Sequence, residues 1–255
     1  MALTLTPVMG IPLIQPGDDV SNIFIEALEK SKIQLENGNI LVVAQKIISK
    51  AEKRLVNLTT VHPSDAAIEL AKKTGKDPRF LELVLKESKK ILRTRIGTIV
   101  VEHNNGFICA NAGIDHSNVN GSWGEPGDWY LLLPEDADRS ARNIKVSIDK
   151  HFNINLGVLI IDSHGRAWRN GTIGCAIGLA GLPGVVDLRG KPDLFGFHLQ
   201  ISQVAAADEL ASAASLVMGQ ASEGVPLVHV SGFPYPLREG TLSELIRPEE
   251  LDLFR

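Results

Sequence analysis

Gly157-Val158-Leu159-Ile160-Ile161-Asp162-Ser163-His164-Gly165-Arg166-Ala167-Trp168-Arg169 is the stretch on which the fold reading turns. Its first five residues carry no polar side chain and three of them are β-branched, which predicts a strand buried on both faces. An aspartate directly behind such a strand lies at its carboxyl end, where open α/β sheets commonly bind ligands. Arg166 and Arg169, three residues apart, could grip a phosphate or carboxylate. A solvated loop with a capping aspartate and surface arginines accounts for the same residues equally well.

Around this segment, Ile40-Leu41-Val42-Val43-Ala44 is a second buried-strand pattern, behind the turn Asn37-Gly38. Weaker strand signals lie at 3–8, 198–204 and 225–230. Residues 98–102 and 107–110 flank Asn104-Asn105-Gly106 as a hairpin. Helical spacing starts behind Asp18 or Asp19 with Val20, Ile23, Phe24, Ala27 and Leu28, and again between a Ser64 cap and a Gly75 stop. Further helices are expected from Asp77-Pro78 onward, over 136–152 and over 205–218. Gly171, Gly174, Gly178, Gly181, Gly184 and Gly190, with Gly196 just beyond, predict a loop over 171–190. Strands and helices mix without regular βαβ alternation, so the class is mixed α/β (α+β).

With 255 residues and ~150 per domain, one or two domains are expected. No repeat, low-complexity tract or linker divides the chain, and 1–255 reads as one unit. Against 30 acidic residues stand 26 basic ones, a net −4 that argues against a general nucleic-acid or anionic-membrane binder. Cys109 and Cys175 are too few for a disulfide scaffold or a four-cysteine zinc site. No apolar run reaches ~18 residues, and residues 1–10 lack the pattern of a secretory leader, so a cytoplasmic protein is expected.

A second candidate site is Asn111-Ala112-Gly113-Ile114-Asp115-His116-Ser117-Asn118, rich in groups that ligate metal or merely build Asx turns. Suppose Asp115 and Asp162 converge to ~4 Å. At an effective dielectric of ~20 their repulsion is about 4 kcal/mol, so one protonates or a hard cation such as Mg²⁺ or Mn²⁺ intervenes. Lys46 and Lys50 share a face if their segment is helical and could neutralise phosphates, or simply face solvent. Gly10-Ile11-Pro12-Leu13 could let a ligand approach the backbone or be a plain turn, and Gly219 reads as a helix stop. Trp123, Trp129 and Tyr130 could cover a ligand or fill the underside of a loop. There is no phosphate loop and no dinucleotide fingerprint. Zinc-ligand spacing and a Gly-x-Ser-x-Gly nucleophile elbow are also missing.

Seven ordered blocks carry a resemblance: Gly10-Ile11-Pro12-Leu13-Ile14, Ile48-Ser49-Lys50-Ala51-Glu52, Asn111-Ala112-Gly113-Ile114-Asp115, Asp162-Ser163-x-Gly165-Arg166, 174–181, Ala207-Asp208-Glu209 and Met218-Gly219-Gln220. Over nearly its full length the chain resembles the coenzyme F420-0:L-glutamate ligase (F420 gamma-glutamyl ligase) family. The resemblance implies a two-lobed α/β fold, neither Rossmann nor P-loop, in a homodimer with intertwined lobes. It implies a ligase that uses GTP and Mg²⁺ or Mn²⁺, with K⁺ a further candidate, to add L-glutamate to a deazaflavin coenzyme precursor through an acyl phosphate and then to extend it by γ-linkage. Carried over by motif, Asp115 and Asp162 would bind one metal and act in catalysis with Arg166. Ser163 and Gln220 would contribute to a second metal. Gly10, Ile11, Pro12, Leu13, Gln45, Lys46, Lys50, Asn118 and Gly219 would line the GTP site. Ser163 stands where threonine is common, and Asn170 where a second basic residue is expected. Against the relatives the resemblance brings in, residues 122–130 read as an insertion, and with the last residue at Arg255 no flavin-binding extension of the kind in some bacterial relatives is expected. Two alternatives are a ligase acting on a different carboxylate cofactor and a non-catalytic deazaflavin or nucleotide binder.

Overall fold

The computed structural model describes residues 2–121 and 123–253. Ser122 and Arg255, named above at the insertion and the chain end, lie outside the described residues. From the N-terminus run β1 (Thr4–Pro7), α1 (Val20–Ser31), β2 (Ile40–Ala44) and α2 (Gln45–Ala51). Next come β3 (Leu55–Asn57), α3 (Asp65–Thr74), α4 (Pro78–Lys86), β4 (Ser88–Arg95), β5 (Thr98–His103), β6 (Ile108–Ala110) and β7 (Trp129–Leu131). The last third holds α5 (Ala137–Phe152), β8 (Gly157–Gly165), β9 (Thr172–Ala180), β10 (Val186–Asp187), β11 (Gln203–Val204), α6 (Ala206–Met218) and β12 (Leu227–Ser231). The fold is mixed α+β, and among the described residues no helix is long and apolar enough to cross a membrane.

The main sheet has the order β1-β12-β2-β8-β9, with only β2 and β8 parallel. Alternation along the strands divides the core. Leu41, Val43, Val158 and Ile160 face α1 and α5, packing on Phe24, Leu28, Ile144 and Ile148. Ile40, Val42, Leu159 and Ile161 face α6, packing on Leu210, Ala211 and Ala214. Both faces being covered explains the unbroken apolar runs of β2 and β8. Helix ends follow local chemistry: Asp19, Ser64, Asp77 and Asp136 each accept a backbone N–H in the first turn, and Gly75 closes α3 at φ 68°.

The expected loop over 171–190 is corrected: residues 172–180 are the nine-residue strand β9. Its glycines answer to close approach rather than to turns. A Cβ on Gly174 would stand 2.4 Å from the Ala211 carbonyl oxygen of α6, and one on Gly178 would stand 2.4 Å from the Ala137 carbonyl carbon of α5. β8 likewise runs on to Gly165, so Asp162 is not behind the strand but within it, at the point where its parallel partner stops at Ala44. Of 198–204 only Gln203–Val204 is strand, a two-residue ladder with Val186–Asp187, while His198 forms an isolated bridge with Pro192.

The sheets β4-β5-β6 and β3-β7 pack with α3 and α4 around a separate core of Phe80, Leu81, Val84, Ile99, Val101 and Cys109. Of the insertion's aromatics, Trp129 is buried and fills the loop's underside, while Trp123, half exposed, meets it edge-on with ring centres 5.2 Å apart. His103 is buried here, stacked on Phe107, with Nδ1 accepting the Asn105 N–H at 3.0 Å. Burial, then the charge of Arg54, pushes its pKa down to about 4. The folded value lies below the ordinary 6.5, so this contribution to stability is complete above pH 6.5 and is lost as pH falls toward 4. Denaturant unfolding is expected to show about 2 kcal/mol of this loss between pH 7.5 and 5, and the His103→Gln variant should lack that part of the pH dependence.

Candidate active site

The site forms where the β2–β8 ladder ends. Ala44 pairs with Ile161, and the residue after each, Gln45 at the start of α2 and Asp162 on β8, lines a cleft. Gln45 is buried, and the Ser49 hydroxyl one turn along α2 donates to its Oε1 at 2.9 Å. That fixes the amide so that Nε2 points at Asp115 Oδ2 (2.6 Å) and Asp162 Oδ1 (3.5 Å). The two carboxylates, 47 positions apart in the chain, therefore share one donor.

Asp115 is delivered by a strained turn. Asn111, Ala112 and Gly113 all have left-handed backbone (φ 54°, 54° and 64°), and Ala112 is fully buried. Such conformations persist where the surroundings over-determine them, as at binding sites. A two-way backbone pairing with Leu131, 2.9 Å each way, then holds Asp115 in place.

The lysines of α2 do share a face. Lys46 Nζ lies 3.2 Å from Asp115 Oδ2 and donates to the Ser117 carbonyl at 3.0 Å. Lys50 Nζ donates to the Asn118 carbonyl at 2.9 Å. Burial, then the charge of Lys46, lowers the Lys50 pKa. Burial, then the Asp162 charge, raises that of Asp115. Both shifts express one imbalance: like charges are crowded in a partly dry cleft. On the next strand position Ser163 Oγ donates to Gln220 Oε1 at 2.8 Å, and Gln220 Nε2 donates to Ser215 Oγ at 2.8 Å. Asn118 Nδ2 reaches the Ala221 carbonyl at 2.9 Å, tying the 115–118 segment to the loop behind α6.

Together these groups bound a cavity of about 550 Å³. Of the residues expected there, Ile11, Pro12, Leu13, Gln45, Lys46, Lys50, Asp115, Asn118, Asp162, Ser163, Gly219 and Gln220 line it. Gly10 and Arg166 stand outside the lining. Gly10, at φ 84°, opens the turn that presents 11–14, and Arg166 Nη1 donates to the Gly171 carbonyl at 3.2 Å. Gly219 ends α6 at φ 75°, and its backbone stop and its place in the cavity are compatible.

His164 escaped the sequence reading, although its position two residues after Asp162 puts both on one strand face. Its Nε2 lies 3.0 Å from Asp162 Oδ2 in an ion pair bent away from hydrogen-bond geometry. Burial opposes the charged imidazole, but the Asp162 carboxylate and the Cys175 thiol raise its pKa to about 10. Burial opposes ionisation of Asp162 too, and His164 nonetheless holds it below the ordinary carboxylate value.

The donor set fits a hard divalent ion in chemistry: two carboxylates, a hydroxyl and an amide oxygen, with no thiolate. Among the described residues no three His, Cys, Asp or Glu side chains could hold a metal by themselves.

The family model described as F420-0:Gamma-glutamyl ligase matches residues 9–232. The chain belongs to that family. It is 45% identical over 257 residues, spanning 100% of both chains, to Coenzyme F420:L-glutamate ligase of Methanothermobacter thermautotrophicus. It is 41% identical to the protein of that name from Methanopyrus kandleri, covering 99% of this chain and 98% of that one. For the Archaeoglobus fulgidus protein of the same name the identity is 38%, over 100% and 97% of the two chains.

Proposed function

We propose that this protein is a GTP-dependent ligase that joins the amine of L-glutamate to the carboxylate of coenzyme F420-0, a deazaflavin precursor, and extends the product through γ-linkages. One observation carries the reading: a single amide nitrogen lies within 3.5 Å of both Asp115 and Asp162 inside a lysine-lined cavity. The printed names of the relatives support the acceptor and the amino acid.

A carboxylate is a poor acyl donor because oxide leaves badly. Transfer of the γ-phosphoryl group breaks its bond to GDP and forms an acyl phosphate on the acceptor. The glutamate amine then attacks the acyl carbon, phosphate departs with the electron pair of the broken C–O bond, and the amine gives up a proton. Lys46 and Lys50 pair with phosphate oxygens, while the 10–13 turn, Gln45, Asn118 and Gly219 fix the nucleotide's position. Asp115 and Asp162 would hold one Mg²⁺ or Mn²⁺, and Ser163 with Gln220 would contribute to a second. Such ions supply charge neutralisation and alignment of donor and acceptor. K⁺ is a further monovalent candidate. Arg166, braced against the Gly171 carbonyl, adds positive charge at the outer edge of the site.

Incubation with GTP, Mn²⁺, L-glutamate and F420-0 tests the reading. Products heavier by whole glutamyl residues, formed with GDP, are expected; GTP hydrolysis without a glutamylated deazaflavin would overturn it.

The reading includes a homodimer in the cytoplasm. Residues 188–202 form an arm on which Leu194, Phe195, Phe197 and Ile201 are each more than half exposed. Apolar clusters of this kind on soluble proteins mark interaction surfaces. Sedimentation is expected to give a dimer for the parent and a monomer for the Phe195→Asp, Phe197→Asp double variant.

A further inference from the structure

A serine within a helix ordinarily faces solvent or bonds the backbone carbonyl four residues back. Ser49, inside α2, is fully buried, and its Oγ donates instead to the side chain four residues back, at 2.9 Å from Gln45 Oε1. The other buried side chains that follow Gln45 on this helix, Ile47 and Ile48, pack into the main core. A hydroxyl and an amide kept in such company carry a desolvation cost that methyl groups would not.

The donors in this chain of contacts run in one direction. Ionised carboxylates only accept, an amide has one donating and one accepting end, and a hydroxyl can turn either way. Gln45 therefore gives Nε2 to Asp115 Oδ2 at 2.6 Å and to Asp162 Oδ1 at 3.5 Å, which leaves Oε1 for the Ser49 hydroxyl. Lys46 pairs with Asp115 and His164 with Asp162, while the Gln45 amide reaches both carboxylates.

We propose that Ser49 is a positioning residue for the divalent-ion site: its hydroxyl holds the Gln45 amide, and the amide holds Asp115 and Asp162 at the separation a shared ion requires. This rests on the ion assigned to that pair above. Two like charges with no donor between them repel, and drawing them back together when the ion arrives weakens its binding. Groups bonded behind metal ligands commonly orient them in this way.

The test compares Ser49→Ala, Gln45→Met and the double variant with the parent, counting free Mn²⁺ by electron paramagnetic resonance as it is titrated in the presence of GDP. Gln45→Met should bind Mn²⁺ about 10- to 100-fold more weakly. Ser49→Ala should lose about 2- to 10-fold, the worth of one hydrogen bond. In the Gln45→Met background the same Ser49→Ala change should cost nothing further, because the hydroxyl acts only through the amide. In glutamyl transfer, Ser49→Ala should need more Mn²⁺ for half-maximal rate, with kcat at saturating Mn²⁺ within about threefold of the parent's. Parental Mn²⁺ affinity in Ser49→Ala or in Gln45→Met, whatever their melting temperatures, overturns the positioning role alone. An undiminished loss from Ser49→Ala in the Gln45→Met background overturns it too, since the hydroxyl would then act on something other than the amide. A parent that takes up no Mn²⁺ in the presence of GDP overturns the ion assignment, and the positioning role with it.

Discussion

Asp162→Asn is expected to lower metal-dependent GDP release by about 10³-fold or more, with Asp115→Asn close behind. On the proposed function, removing one of two carboxylates that share a cation forfeits several kcal/mol of charge stabilisation where phosphoryl charge would develop, and each 1.36 kcal/mol is tenfold in rate. Asparagine preserves the shape of Asp162, so the loss reports charge. Asp162 also pairs with buried His164 at 3.0 Å, and breaking a buried pair costs about 3–5 kcal/mol of stability. Asp115→Asn separates the two effects, because Asp115 is more exposed and its charged partner, Lys46, is itself partly solvated. Melting temperatures of both variants, recorded beside GDP release and glutamyl transfer, distinguish lost chemistry from lost fold. Turnover near the parental rate in both variants would remove the assigned role of the carboxylate pair.

Gly178→Ala should be the most damaging one-methyl change in the main sheet. The added Cβ would sit 2.4 Å from both the carbonyl carbon and the Cβ of Ala137, and 2.6 Å from its oxygen. Those atoms belong to the first turn of α5, so no flexible side chain can swing aside. Overpacking of well-packed interiors costs about 1–3 kcal/mol and more where backbone must move; the upper end corresponds to a melting temperature about 6–12 °C lower. Gly165→Ala is the control in the same sheet. It has no neighbour within 4 Å of the added Cβ and no left-handed φ, and its melting temperature should match the parent's. Equal stability of Gly178→Ala and the parent would mean that α5 does not press on β9 as described.

Local chemistry made much of the fold legible. Ser64, Gly75, Asp77-Pro78 and Asp136 act within one turn of their own positions, and the helices they bound lie where spacing predicts. β2 and β8 were legible because burial on both faces leaves no polar residue to interrupt the run. β9 was not, because its glycines are set by α5 and α6, elements far away in sequence. β4 was hidden for the opposite reason: Lys89, Lys90, Arg93 and Arg95 are exposed on an edge strand, where charge discourages pairing with other chains. At the site, spacing put Lys46 and Lys50 on one helix face. No local pattern brings Asp115 to Asp162; only the ordered set of motifs did. The Gln45 amide that spans both carboxylates depends on the Ser49 hydroxyl, a side-chain orientation that no sequence pattern encodes.

The pairing of Asp115 with Asp162 around a divalent ion is tested most directly by anomalous diffraction from crystals grown with Mn²⁺ and GDP. A manganese peak about 2.0–2.3 Å from an oxygen of each carboxylate is expected, with GDP phosphate oxygens completing its shell. Nucleotide bound in the cavity with the manganese elsewhere, or with no manganese between the two carboxylates, would contradict it.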